Sequence, residues 1–76
     1  TGEYTKAAQA YLEIASLYSQ ASFAPKALIK AGDVFLKTKR YLKALETYGK
    51  VVQLYPNTNE ALISQFRMAD LGMEKQ

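Results

Sequence analysis

The chain repeats itself with a period of 37 residues, and this repeat constrains its fold more than any other feature of the sequence. A shift of 37 positions superimposes identical residues along the whole chain. Thr1, Tyr4, Lys6, Ala7, Tyr11, Leu17, Tyr18, Ala24 and Asp33 fall on Thr38, Tyr41, Lys43, Ala44, Tyr48, Leu54, Tyr55, Ala61 and Asp70. One register holds from end to end, which indicates stacked units that bury their apolar faces against one another.

Apolar residues recur at steps of three and four, which is the period of one face of an α-helix. The two equivalent stripes are Tyr4, Ala7, Ala8, Tyr11, Ile14, Ala15 and Tyr18, and Tyr41, Ala44, Leu45, Tyr48, Val51, Val52 and Tyr55. Their tyrosines are expected to bury the rings between helices and to keep the hydroxyls near water. A further helix is predicted between the stripes, with Ser22 as candidate N-cap and Pro25 in its first turn. A last helix is predicted from about Thr58 to Met73.

Four helices joined by short turns must pack antiparallel with their sequence neighbours. The sequence therefore predicts an all-α fold. Gly32 lies on the apolar side of its helix, where the missing side chain is expected to let the next helix approach closely. That gain outweighs the roughly 1 kcal/mol that glycine costs in a helix relative to alanine. Gly49 lies on the solvent-facing side of its helix, and the sequence gives no reason for it.

The composition excludes several kinds of chemistry. Histidine, cysteine and tryptophan are absent, so Ser-His and Cys-His triads, thiolate or imidazole zinc sites and disulfides are excluded. Asp33, Asp70 and five glutamates are the only carboxylates, and no Gly-rich phosphate loop lies beside them. We therefore expect no catalysis, no cofactor and no metal site.

Charge and hydropathy place weaker limits on partners. Lys and Arg number 10 against 7 for Asp and Glu, an excess that fits an acidic partner, a nucleic acid or an ordinary surface. No run approaches the ~18 apolar residues of a membrane span, so no membrane insertion is expected. Because the chain begins with Thr1 rather than methionine, we interpret it as an excised or processed piece.

Seven residues stand at the spacings of the tetratricopeptide repeat signature: Leu28, Ala31, Gly32, Phe35, Ala44, Tyr48 and Pro56. The chain resembles this family over its whole length, although its period exceeds the usual 34 residues. The resemblance implies that residues 1–21 are the second helix of one repeat, residues 22–56 a complete repeat and residues 57–76 the first helix of another. The long helix after Tyr-Pro is similar to bacterial envelope members, such as cell-division coordinators and outer-membrane-assembly lipoproteins, while the compartment stays unknown.

The resemblance also implies a right-handed α-solenoid whose first helices line a concave groove that binds a peptide or helix of a partner protein. Matched residue by residue, the groove comprises Lys26, Ile29, Lys30, Asp33, Leu36, Lys37, Ile63, Phe66, Arg67, Asp70 and Met73. Its apolar contacts are expected at Ile29, Phe66 and Met73, exposed on the groove face. Its polarity is expected to come from Lys26, Lys30, Asp33, Arg67 and Asp70.

Three functions stay open on the sequence alone. The first is a protein-interaction scaffold, and the second is an RNA-binding helical repeat with a basic patch at Lys37, Lys39, Arg40 and Lys43. The RNA interpretation is disfavoured because the helix starts offer few polar side chains to read bases. The third is a structural spacer or oligomerisation unit. Self-association through the uncovered terminal helices is a further prediction, since repeats bury their faces only on neighbours.

Overall fold

The structure is a computed structural model that describes residues 2–74, with side chains described up to residue 72. It contains four helices: α1 (Gly2–Leu17), α2 (Ala24–Lys37), α3 (Tyr41–Leu54) and α4 (Asn59–Glu74). Residues 2–74 form no strand, which confirms the predicted all-α fold. Within the same range no helix has both the length and the apolar character required to traverse a membrane.

The helices form two layers. Each helix packs against the next along the chain, and α2 also contacts α4, whereas α1 and α3 do not contact each other. The described part measures 36 × 32 × 13 Å, and its thickness is that of two packed helices. Because α2 and α4 touch while α1 and α3 stand apart, the α2–α4 layer is the more compact side. We call its exposed surface the inner face.

A close helix contact joins α2 to α3 at Gly32 and Tyr48. A Cβ atom placed on Gly32 would lie 2.6 Å from Cε1 and 2.8 Å from Cζ of the Tyr48 ring, nearer than packed carbon atoms approach one another. The Tyr48 side chain is completely buried. The expectation that Gly32 permits close approach is therefore confirmed.

The other tyrosines differ in burial. Tyr11 and Tyr55 are half-buried, whereas Tyr4, Tyr18 and Tyr41 are exposed. The expectation of buried rings is therefore wrong for these three. Tyr41 is the first residue of α3, directly after a turn, whereas Tyr4 lies on α1, which has a helix on only one side within the described structure. A repeat that buries its faces on neighbours leaves such positions open at the end of the stack.

On one side of α2 and α4, the 37-residue register also holds in the burial pattern. Ala24 and Ala27 of α2 are buried, and their equivalents on α4, Ala61 and Ser64, are buried as well. The same stripe of both helices thus faces the preceding helix. This equivalence allows each contact made by one unit to be compared with the matching position in the other.

The start of α2 differs from the prediction. Pro25 lies in the first turn as expected, but the N-cap position is Phe23, and no side chain caps the helix. An N-cap at Ser22 would accept a hydrogen bond from the amide two or three residues later, at Ala24 or Pro25. The Ala24 amide already donates to the Ala21 carbonyl at 3.0 Å, and Pro25 has no amide hydrogen, so Ser22 has nothing to cap.

The other two turns are closed by hydrogen bonds within the turn. After α2, the Arg40 amide donates to the Phe35 carbonyl and the Lys39 amide to the Leu36 carbonyl, the pattern of a Schellman motif. Lys39 has a φ of 63°, a left-handed conformation that usually requires glycine. Before α4, the Thr58 hydroxyl accepts a hydrogen bond from the Ala61 amide at 3.1 Å, so a side chain caps this helix.

Two glycines in helix interiors provide a matched stability test. Gly32→Ala inserts a methyl group against the buried Tyr48 ring, an overpacking cost of about 1–3 kcal/mol that the roughly 1 kcal/mol gain in helix propensity offsets only in part. Gly49→Ala meets no atom within 4 Å and should raise the free energy of unfolding by about 1 kcal/mol. Urea denaturation measures both values, and equal responses of the two variants would contradict the close contact.

Candidate functional site

The inner face carries the residues predicted to line a groove, but they differ in exposure. Ile29 is buried, whereas Asp33, Leu36 and Arg67 are half-buried. Lys26, Lys30, Lys37, Ile63, Phe66 and Asp70 are exposed. The side chain of Met73 lies outside the described residues, so its predicted contact stays a prediction.

One carboxylate joins three helices beneath the inner face. Asp33 Oδ1 accepts a hydrogen bond from Arg67 Nε at 2.9 Å and another from the Tyr48 hydroxyl. Burial raises the pKa of Tyr48 far above its ordinary value, and the hydrogen bond to Asp33 raises it further. The hydroxyl therefore stays protonated and donates. Asp33 and Arg67 neutralise each other, so their first role is to hold α4 against α2.

A second ion pair links the beginnings of the same two helices. Lys26 Nζ bonds to Glu60 Oε2, and this hydrogen bond is the largest cause of a lowered pKa at Glu60. Glu60 is not among the residues predicted from the sequence. Both ion pairs join residues 34 positions apart, about one helical turn less than the repeat. Opposite charges at that separation are the sequence signal that could have identified the two pairs.

A shallow cavity of about 310 Å³ opens on the inner face near the end of α2. It brings together three predicted groove residues, Leu36, Arg67 and Asp70. Tyr41 and Leu71 complete the lining, and neither was predicted from the sequence to belong to a site. Tyr41 was predicted only as part of the repeat stripe, although its position directly after the turn brings it to the edge of α2.

Ile29 and Phe66 occupy the same repeat position but have opposite environments. Ile29 is 9% exposed and belongs to the core cluster, whereas Phe66 is 73% exposed. The expectation that Ile29 is exposed is wrong, because α3 and α4 both pack against α2. No helix of the described residues follows α4 in the same way. Phe66 is therefore exposed because no described helix covers that side of α4.

A larger cavity lies on the opposite side, between α1 and α3, and was not predicted. This outer groove has a volume of about 700 Å³, and its apolar lining includes Leu12, Leu28 and Leu54. Glu13 and Lys50 are its charged lining residues. The Tyr55 hydroxyl, another lining group, donates to the Ser19 carbonyl at 2.8 Å. The outer groove is the main rival to the inner face as a binding surface.

Comparison with known proteins identifies one family. The model of the family described as Tetratricopeptide repeat matches residues 26–58, which comprise most of α2, all of α3 and the turn before α4. Neither a curated protein nor a solved structure matches the chain significantly.

The two hydrogen bonds at Asp33 should differ in strength. Because Tyr48 is buried while Asp33 and Arg67 each leave 39% of the side chain exposed, solvent and salt screen only the ion pair effectively. Double-mutant cycles with Tyr48→Phe, Arg67→Ala and Asp33→Ala should give a coupling energy of about 0.2–1 kcal/mol for the ion pair and a larger one for the tyrosine. Added salt should reduce only the first, and the reverse order would refute this assignment.

The Lys26–Glu60 pair should make stability depend on acidity. The folded-state pKa of Glu60 lies below its ordinary value of 4.5, so the stabilisation is complete above pH 4.5 and is lost as the pH falls through the folded-state pKa. Glu60→Gln should flatten this part of the curve of unfolding free energy against pH. Glu46→Gln is the control, since no ion pair joins Glu46 to a described residue, and an equal effect of both changes would contradict the prediction.

Proposed function

We propose that this chain, which belongs to the tetratricopeptide repeat family through residues 26–58, is a protein-interaction module that binds a peptide or helix of a partner protein along its inner face. The observation that carries the proposal is the cavity formed by Leu36, Tyr41, Arg67, Asp70 and Leu71. Leu36, Tyr41 and Leu71 give it an apolar part, and polar groups make up the larger share of its accessible lining, a combination that suits a partner side chain with an apolar body and a polar end.

The ion pairs support the proposal by fixing the surface in advance. Lys26–Glu60 and Asp33–Arg67 hold α2 and α4 in one register along the inner face. A surface that is already ordered loses less conformational entropy when a partner binds. The paired side chains therefore serve as the frame of the site, and the partner meets the groups beside them, including the cavity next to the Asp33–Arg67 pair.

The charges that remain indicate the chemistry of the partner. Lys30, Lys37 and Asp70 are exposed and form no ion pair with a described residue. Two cations and one anion favour a segment with acidic residues on either side of an apolar anchor. We propose such a segment as the ligand of the inner face, with the anchor in the cavity beside Leu36 and Tyr41.

Peptides selected on the chain from a displayed random library test the proposal. Lys37→Glu should weaken binding of a selected peptide about tenfold, since one rim charge is reversed. Lys50→Glu is the matched control, because it makes the same change in the lining of the outer groove. Fluorescence anisotropy with labelled peptide measures both. Loss of binding with Lys50→Glu alone would move the site to the outer groove.

The remaining interpretations give different outcomes in the same assay. If no peptide is selected, the spacer interpretation gains support. A single-stranded RNA probe tests the second alternative, since Lys39, Arg40 and Lys43 line a surface hollow next to Tyr41. RNA affinity that falls steeply with salt and depends on these cations would favour an RNA-binding repeat.

A further inference from the structure

The first and last described helices, α1 and α4, correspond to the two helices of one packed pair, α3 and α2. In the 37-residue register α1 is equivalent to α3, and α4 is equivalent to α2. Within the described residues α3 packs between α2 and α4, whereas α1 packs only against α2. Within the described residues, no helix covers the other side of α1 or the far side of α4. In the repeat register, α1 is equivalent to the helix that would cover α4, and α4 is equivalent to the helix that would cover α1.

The uncovered face of α4 is defined by the contacts of α2. On α2 the residues on this side, Pro25, Leu28, Ile29, Gly32 and Phe35, are all buried. Their equivalents on α4 are Leu62, Gln65, Phe66, Ala69 and Gly72, and all of them are exposed. Leu62 is 56% exposed, and together with Phe66 it forms an apolar surface of the kind that marks a contact site.

The uncovered face of α1 is defined in the same way by α3. Ala44, Thr47 and Val51 of α3 are buried. The matching residues of α1 are Ala7, Ala10 and Ile14: Ala7 is half-buried, Ala10 is exposed, and Ile14 is 39% exposed. The side of α1 that corresponds to the packed side of α3 is therefore open to a neighbour.

We infer that a second copy of this chain covers α4, with α1 of that copy packed on α4 as α3 packs on α2 within one chain. The occupant follows from the repeat, because α1 carries the same tyrosine and alanine positions as α3. The contact is head-to-tail, since it joins different surfaces of the two copies. This inference goes beyond peptide binding on the inner face and needs no ligand there.

Charge complementarity supports the same arrangement. Within one chain Tyr48, Asp33 and Arg67 form a hydrogen-bonded group. The equivalents of these three residues are Tyr11, Asp70 and Lys30. Across the contact, Asp70 of one copy would meet Tyr11 and Lys30 of the next, so hydroxyl, carboxylate and cation recur in the same places. Lys30 and Asp70 form no ion pair within the described chain, which leaves them available.

The second ion pair is replaced by an apolar pair. Lys26 and Glu60 correspond to Ile63 and Phe23, and both of these side chains are exposed. Ile63 of one copy would therefore meet Phe23 of the next. The substitution changes both partners together, from two opposite charges to two apolar groups, so the contact stays complementary.

One substitution weakens the contact between copies. The equivalent of Gly32 is Ala69, and a Cβ at Gly32 would lie 2.6 Å from the Tyr48 ring. Tyr11 of a second copy therefore cannot approach Ala69 as closely as Tyr48 approaches Gly32. We expect association that depends on concentration, about tenfold tighter with Ala69→Gly and weaker with Ala69→Val.

Charge reversal followed by mixing tests the arrangement. By sedimentation equilibrium, the mass of the wild-type chain should increase with concentration and pass beyond that of a dimer, because head-to-tail contacts continue from copy to copy. Asp70→Lys alone or Lys30→Asp alone should abolish association, since each sets like charges opposite each other. An equimolar mixture of the two variants should associate again, because the lysine introduced in one variant then meets the aspartate introduced in the other.

Circular dichroism provides the folding control, since both single variants should keep wild-type helicity. A wild-type chain that stays monomeric at high micromolar concentration would overturn the inference and leave α4 to another partner. A mass that saturates at the dimer, or a mixture that associates no better than its components, would equally overturn it. Lys30 and Asp70 also lie on the proposed peptide surface, but no peptide is present in this experiment and the peptide test rests on Lys37→Glu, so failure of one proposal is distinguishable from failure of the other.

Discussion

The close approach of Tyr48 to Gly32 is the contact on which the rest of the structure depends. Because Gly32 has no side chain, α3 packs directly on the backbone of α2. The buried tyrosine then reaches past the glycine to Asp33, and Asp33 binds Arg67. One missing methyl group thus sets the distance between two helices and, through a shared carboxylate, the place of the fourth helix on the inner face.

Several charged side chains on the inner face form ion pairs within the chain, so only the others stay unpaired. A family resemblance assigns Lys26, Asp33 and Arg67 to the groove, yet all three are already engaged in ion pairs within the chain. These pairs are partly exposed and contribute modestly to stability, but they fix the register of α4 against α2. In the function proposed above, the partner of the inner face is selected by the charges left unpaired and not by the total charge.

The contrast between Gly32 and Ala69 separates contacts within the chain from those at its end. In repeat proteins stability is a sum of unit and neighbour terms, so each change at an equivalent position alters one interface only. In the proposed contact between copies, Ala69 and Gln65 would fit a covering helix less closely than Gly32 and Leu28 do, while Leu62 and Phe66 give α4 exposed apolar surface. Such a contact would be reversible.

The sequence by itself determined the four helices, the 37-residue register, the first-turn position of Pro25 and the role of Gly32, because periodicity and local sterics are encoded by residues close together in the chain. Only the tertiary structure decided that Ile29 is buried while Phe66 is exposed, that Ser22 caps nothing, and that two ion pairs join α2 to α4. Those outcomes depend on which helices stand beside each position. Residues 34 positions apart meet only after the two turns on either side of α3 have brought α2 and α4 together.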